Sequence, residues 1–307
     1  MTEITAKLVS ELREKSGAGM MDCKKALVET KGDVEAAMDY LRKKGLASAA
    51  KKSGRAAAQG LVSVAAEGNF GVVIELNAET DFVSRNEDFQ KFLNAITDIA
   101  LKNKLETVEA LKASPLDGKT VEAKLTDLIA TIGENMTLRR LQALKVGSGV
   151  VATYVHNALS PGRGNLGVLV AIESTGDKEK LAAVGKQLAM HVAAARPESL
   201  DTASLDKDLI ARERSVYADK AAKSGKPADI VEKMVEGSLR KFYEQVVLLE
   251  QKSMIDGETK ISALVEKAGK EAGAPAKIAG FVCFKVGEGV EKKEDDFASE
   301  VAKMANG

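Results

Sequence analysis

Two stretches decide the fold. "GNFGVVIELN" at 68–77 and "GNLGVLVAIE" at 164–173 match almost position for position. Each follows a strand-like run, "LVSVAAE" at 61–67 and "VVATYVH" at 150–156. In each the Gly-Asn pair can supply the positive φ of a hairpin turn. Val72, Ile74 and Leu76 share one face of the first strand, and Val168, Val170 and Ile172 share one face of the second. Both copies then run into apolar helical segments, "EDFQKFLNAITDIALKN" at 87–103 and "EKLAAVGKQLAMHVAAA" at 179–195. The middle of the chain therefore reads as a doubled hairpin-plus-helix unit, giving two α+β subdomains.

The two copies differ in one place. From Leu76 to the first apolar helix residue, Phe89, is 13 positions, whereas from Ile172 to Leu181 is 9. The four extra residues fall where "ETDFV" (79–83) sits. One copy folds without them, so their presence in the other argues for function. They also put Phe82 and Val83 beside Asp81 in a connection that should be polar. An aromatic flanked by polar groups is a common anchor at protein interfaces.

On the N-terminal side, residues 4–44 read as three short helices. Leu8 and Leu12 stand one turn apart, and Gly17 ends the first helix. Cys23, Ala26 and Leu27 share a face of the second, and Gly32-Asp33 caps a third that ends at Gly45. Residues 1–46 are thus a three-helix module of the ubiquitin-associated-like kind, and "ASAAKKSGRAAAQG" at 47–60 is a linker. No aromatics interleave with its basic residues, as a nucleic-acid arm would require.

Between the copies, "TVEAKLTDLIATIGENMTLRRLQAL" (120–144) reads as helical with a break at Gly133. After the second copy, Leu209, Val216 and Lys223 keep a seven-residue spacing, and "SGKP" (224–227) turns the chain into a returning helix. "KIAGFVCFKV" (277–286) reads as a strand and "DDFASEVAKM" (295–304) as a terminal helix. The predicted divisions are core subdomain 1 at 61–145 and core subdomain 2 at 146–198 and 238–286. A helical hairpin is inserted at 199–237, and a C-terminal module occupies 287–307.

Composition narrows the function. Formal net charge is zero, and binding to a nucleic-acid backbone needs a basic excess. No apolar run approaches the ~18 residues of a membrane span. Cys23 and Cys283 lie far apart behind a charged, amphipathic start, which reads as two reduced thiols in a cytoplasm. "ASPLDGKT" (113–120) ends like a phosphate-binding loop but has Ala113 where the pattern needs glycine, and carries Pro115. His156 and His191 are far apart with no Cys/His cluster of metal spacing, and His191 sits in an apolar helix as a packed core group. An enzyme is not expected, and neither is a cofactor or metal. A binding protein is, with an adaptor for ubiquitin-like or ribosomal partners as the competing class.

Six ordered blocks then carry a resemblance: "SGAGMMDCKKAL" (16–27), "ETDFV" (79–83), "IGENMTLRR" (132–140), "AMHVAAARP" (189–197), "SGKP" with "EKMVEG" (224–237), and "GFVCFKVGEG" (280–289). Along essentially the whole chain the sequence resembles the bacterial elongation factor Ts family. The resemblance implies guanine-nucleotide exchange on the GTPase elongation factor Tu, with Thr80, Asp81, Phe82 and Val83 as the exchange loop. Phe82 would wedge between helices of the GTPase domain, and Asp81 would help disturb the magnesium environment. It further implies contacts to the GTPase domain from Arg13, Met20 and Met21. His156 would lie near another domain of the partner, and the helical hairpin would help two complexes associate as a two-to-two assembly. Two departures stand out: the loop "NALSPGRGN" (157–165) is longer than in many members, and "LLEQKSMIDG" (248–257) lacks a Gln-Pro-Phe run often found there.

Overall fold

The computed structural model describes residues 4–291. Three helices come first: α1 (Ala6–Ser16), α2 (Met20–Glu29) and α3 (Val34–Lys52). The first half of the core follows as β1 (Gln59–Glu67), β2 (Phe70–Ala78), α4 (Asp81–Ser84), α5 (Glu87–Lys102), α6 (Val108–Ala113), β3 (Pro115–Leu116), β4 (Lys119–Thr120), α7 (Val121–Ile132) and β5 (Met136–Lys145). The second half contains β6 (Gly149–Ser160), β7 (Arg163–Glu173), α8 (Lys178–Ala195), α9 (Lys207–Ala222), α10 (Ala228–Val246), α11 (Ile261–Ala272) and β8 (Lys277–Lys285).

α1 to α3 bury Leu12, Cys23, Leu27 and Ala37 in a small core of their own. Gly17 closes α1 in the left-handed conformation, and the Asp33 side chain accepts the Ala36 N–H to open α3. Contrary to the sequence reading, α3 does not stop at Gly45. It runs to Lys52, through half of the expected linker, because Ala47, Ala49 and Ala50 favour helix. Gly45 lies where α3 faces α7, and a β-carbon there would meet the Ala130 side chain at 3.4 Å, an ordinary contact.

The long strands form one curled antiparallel sheet, β5-β2-β1-β7-β6, with β8 also paired to β7. β1 and β7 pair only at Val62–Gly164 and Ser63–Arg163, so the sheet is two three-stranded halves joined at a corner. Ile74 and Leu76 pack beneath Phe89, Leu93 and Ile96 of α5 in one core. Val170 and Ile172 pack beneath Leu181 and Leu188 of α8 in another. The opposite faces meet in a third core containing Val73, Leu169, Val282 and Phe284. Each half-sheet is therefore covered on both sides.

The duplication extends further than two hairpins and two helices. Each half adds a second helix and a third strand, α7–β5 and α11–β8, and each of those helices ends on a left-handed glycine, Gly133 or Gly273. The pairing slips between Glu75 and Leu76 in one half and between Ala171 and Ile172, the matching positions, in the other. Gly60 and Gly149 open the first strands with φ of +122° and +129°, and a β-carbon on either would strike the backbone oxygen of Leu76 or Ile172 at 2.2 or 2.0 Å. Only glycine fits there.

Three further expectations need correction. Residues 136–145 form strand β5, not helix, since pairing with β2 outweighs the helix propensity of Leu, Arg, Gln and Lys. The second hairpin does not turn at Gly164-Asn165, which lie inside β7. It turns at Pro161-Gly162, where proline presets one φ and Gly162 takes +75°. The expected boundary at 237–238 falls inside α10, whose buried Val235, Leu239 and Phe242 continue one stripe past Gly237. "ASPLDGKT" holds the small β3–β4 hairpin. The expected terminal helix at 295–304 lies outside the described residues. Among the described residues no helix is long and apolar enough to cross a membrane.

His191 is buried on α8, as its apolar surroundings predicted. One ring nitrogen lies 2.9 Å from Gln251 Oε1, and Nδ1 accepts the Met254 N–H at 3.3 Å, which fixes a neutral ring with its proton on Nε2. Burial pushes its pKa below the ordinary value of 6.5, opposed by the Gln251 hydrogen bond. The unfolded chain thus binds the proton more readily than the folded one. Stability should be full above pH ~6.5 and fall as the pH drops below it toward the lowered folded value. Thermal melts between pH 7.5 and pH 5 should show this decline, and His191→Gln should flatten it. An equally steep decline in the variant would assign the pH dependence elsewhere.

Candidate functional site

The segment that distinguishes the halves lies between β2 and α5. Asn86 caps α5 by accepting the N–H groups of Asp88 and Phe89, and Asp177 caps α8 in the same way. These caps lie ten residues after Leu76 (86 − 76) and five after Ile172 (177 − 172), so the insertion is five residues long rather than four. Counting to the first apolar residue missed one, because Phe89 is the third residue of α5 and Leu181 the fourth of α8.

The inserted residues form the single turn α4. Val83 is 4% exposed and joins the first core, whereas Phe82, its neighbour, is 79% exposed. Successive helical side chains diverge by about 100°, so anchoring Val83 inward turns Phe82 outward. The Ser84 hydroxyl donates to Asp81 O at 2.8 Å, and Gln90 Nε2 donates to Ser84 O at 3.0 Å, tying the turn to α5. Asp81 is exposed beside Phe82. Of the four loop residues expected to meet a partner, Val83 is therefore the internal anchor. Its apolar side chain is used by the core of this chain.

Behind the turn, two carboxylates hold the backbone reciprocally. Glu134 accepts the Thr80 N–H at 2.9 Å and the Thr80 hydroxyl at 2.7 Å. Glu79 accepts the Asn135 N–H at 2.5 Å and Arg55 Nη1 at 3.4 Å. Asn135 Nδ2 donates in turn to the Arg55 carbonyl at 2.7 Å. The exchange-loop candidate is thus clasped to the α7–β5 junction and to the segment after α3. Sequence reasoning missed this clasp, because polar residues in two loops look the same whether paired or solvated.

The remaining candidates occupy other elements. Arg13 in the last turn of α1 and Met20 and Met21 at the start of α2 flank one turn. All three are exposed, Met21 by 73%. His156 lies on the exposed outer part of β6, with Nδ1 3.2 Å from the Tyr154 hydroxyl. Cys23 is buried and Cys283 half-buried, and burial pushes the Cys283 thiol pKa up, away from the reactive thiolate.

Sequence reasoning missed a second group, on the strand that leads into the turn. Glu75 of β2 is fully buried. Arg139 Nη1 donates to its two oxygens at 3.1 and 3.2 Å, Arg140 Nε donates to it, and the Gly287 N–H adds a bond of 2.8 Å. Arg139 and Arg140 reach on to the carbonyls of Glu288 and Lys285, and the Arg140 guanidinium lies 3.9 Å above the Phe284 ring. One carboxylate thereby ties β2 and β5 of the first half to the chain leaving β8 of the second.

Comparison with known proteins points to one family. The family model described as "Elongation factor TS" matches residues 79–288. The elongation factor Ts of Rhodospirillum centenum is 61% identical over 307 residues, covering 99% of this chain and all of the relative. That of Paramagnetospirillum magneticum is 60% identical over 307 residues, covering 99% of this chain and 98% of the relative, and that of Gluconobacter oxydans 56% over 306 residues, covering 99% of each. With that family model matching most of the chain and identity running nearly its whole length, the protein belongs to the elongation factor Ts family.

Proposed function

We propose that this chain is a guanine-nucleotide exchange factor for the cytoplasmic translation GTPase elongation factor Tu. It binds Tu carrying GDP, disturbs the magnesium and phosphate site, and promotes GDP release so that GTP can enter. The observation that carries the reading is Phe82, 79% exposed on an anchored turn that only one half of the duplication has. Family membership supplies the partner.

A GTPase holds its nucleotide through magnesium and backbone amides that neutralise the phosphates. An exchange factor makes and breaks no covalent bond, so this reading is not enzymatic in that sense and calls for no cofactor. It must bind the nucleotide-free partner more tightly than the nucleotide-bound one, and linkage makes the effect reciprocal. Phe82 supplies apolar burial that becomes available when helices of the partner part. Asp81 places a carboxylate near a metal site tuned to one charge pattern. Thr80 and Val83 hold the turn from behind.

In the same reading the three-helix module docks on the GTPase domain through Arg13, Met20 and Met21. The second half meets another domain near His156, and α9–α10 joins two complexes into a two-to-two assembly. Neither nucleic acid nor membrane is contacted directly.

Stopped-flow release of a fluorescent GDP analogue from elongation factor Tu tests the proposal. Added protein should accelerate release in a concentration-dependent, saturating manner. Removing residues 1–45 should leave a weakened but measurable acceleration, whereas an adaptor acting through that module would lose its main activity. No acceleration by the full chain would reject the exchange reading.

A further inference from the structure

The clasp behind the exchange loop is not required by the fold. Glu134 and Asn135 directly follow Gly133, the left-handed cap of α7. In the second half the matching cap is Gly273, and the residues after it are Ala274 and Pro275. That half turns from helix into strand without a carboxylate or an asparagine there. It also has no inserted turn to hold. The clasp and the insertion occur together in the first half, and both are missing from the second.

The geometry suits positioning. Glu134 takes two hydrogen bonds from Thr80, the residue immediately before α4, at 2.9 and 2.7 Å. It is half-buried, and Asn135 beside it is 5% exposed, so water competes little for these bonds. Thr80 is the N-cap of α4, yet its own side chain makes no capping bond. Its hydroxyl is turned back to Glu134 instead. A one-turn helix has no stability of its own, so the direction of Phe82 depends on how both of its ends are held. Val83 and Gln90 hold the far end, and Glu134 holds the near one.

Resting on the exchange reading, we infer that Glu134 is a positioning residue that fixes the approach of Phe82 by holding Thr80, with Glu79 and Asn135 closing the clasp from the other side. Misplacing a working group by about 1 Å can cost up to 10²-fold in rate. Glu134→Ala should therefore lower the maximal rate of GDP-analogue release by about tenfold, while the concentration for half-maximal effect stays within about twofold. Glu134→Gln keeps an acceptor oxygen for Thr80 and should recover to within about threefold of wild type. In a Phe82→Ala background, Glu134→Ala should have little further effect, since contacting mutations on one route are not additive.

A partner-free readout separates this inference from the exchange reading. Hydrogen exchange of the amides of residues 80–86 should be about tenfold faster in Glu134→Ala than in wild type, with the β1 and β2 amides unchanged. If these amides exchange at wild-type rates, Glu134 does not hold the turn and the inference fails. It fails equally if Glu134→Ala costs as much in the Phe82→Ala background as alone. If wild type does not accelerate GDP release, the exchange reading is lost, and the amide measurement still decides whether Glu134 positions the turn.

Discussion

Phe82→Ala should lose most of the acceleration of GDP release, roughly 30- to 100-fold at equal protein concentration, with a thermal midpoint within about 1 °C of wild type. The two halves of this expectation come from one number. At 79% exposure the ring contributes almost nothing to the core of its own chain, so its removal leaves the fold intact. A buried aromatic anchor at an interface is worth roughly 2–4 kcal/mol, and ~2.8 kcal/mol applied against the nucleotide complex is about a hundredfold in rate. Phe82→Leu keeps apolar area without the flat ring and should fall between the two. Asp81→Ala should cost less, about 3- to 10-fold, because an exposed carboxylate acts through screened electrostatics. Reciprocity adds an equilibrium check. The ratio of affinities for nucleotide-free and GDP-bound partner should shrink in Phe82→Ala along with the rate gain. Wild-type release by Phe82→Ala would show that the turn is a bystander and that exchange is driven from the other contact surfaces.

Val83→Ala makes the contrast sharp. Its side chain is part of the first core, so truncation should destabilise the turn and loosen Phe82 as well as lower stability. Equal kinetic losses in the two variants would thus have different origins, and only the Val83 variant should melt earlier.

Much of this was legible in the residues themselves. "GNFGVVIELN" and "GNLGVLVAIE" announce the duplication because buried strands need apolar residues at every second position, and the copies keep them. The difference in spacing before Phe89 and Leu181 marked where an insertion lies, one residue short in length and without showing that it forms the turn α4. Other features were hidden for physical reasons. β5 carries Leu138, Leu141, Gln142 and Leu144, residues that favour helix alone and become a strand only when β2 lies beside them. Gly45 looked like a stop because helices commonly end on glycine, yet the helix runs through it, carried by the alanines that follow. The clasp joins Glu79–Thr80 to Glu134–Asn135 across more than fifty residues of chain, and no local pattern encodes such a pairing. Glu75 drew no notice in the sequence, because an acidic residue between Ile74 and Leu76 fits a strand with one face in water. The second half of the duplication covers that face, so the residue is buried.

That burial carries the largest expected effect on stability. Glu75→Ala should destabilise the protein by about 3 kcal/mol and lower the thermal midpoint by roughly 6–12 °C. The carboxylate is fully buried and accepts from Arg139, Arg140 and the Gly287 N–H. Removing it leaves two guanidinium groups and one backbone donor facing a seam between the halves. Breaking a buried ionic group from one side typically costs 3–5 kcal/mol, and the lower end applies because the arginines are 27% and 29% exposed and can partly turn to water. Glu75→Gln keeps the shape and one acceptor oxygen but loses the charge, so about half the effect should remain. The control is another ion pair on β5, Lys145 with Glu106, whose N–O distance of 2.6 Å is also within hydrogen-bond range but whose side chains are 68% and 52% exposed. Glu106→Ala should leave the midpoint within about 2 °C of wild type. Burial, not distance, ranks the two pairs. Because Glu75 also ties β2 and β5 to the segment after β8, its loss should loosen the amides of residues 285–288 before those of α1 to α3, whose core is separate. A Glu75→Ala protein that melts like the Glu106→Ala control would mean that the two halves are held by the apolar seam of Val73, Leu169 and Val282 alone.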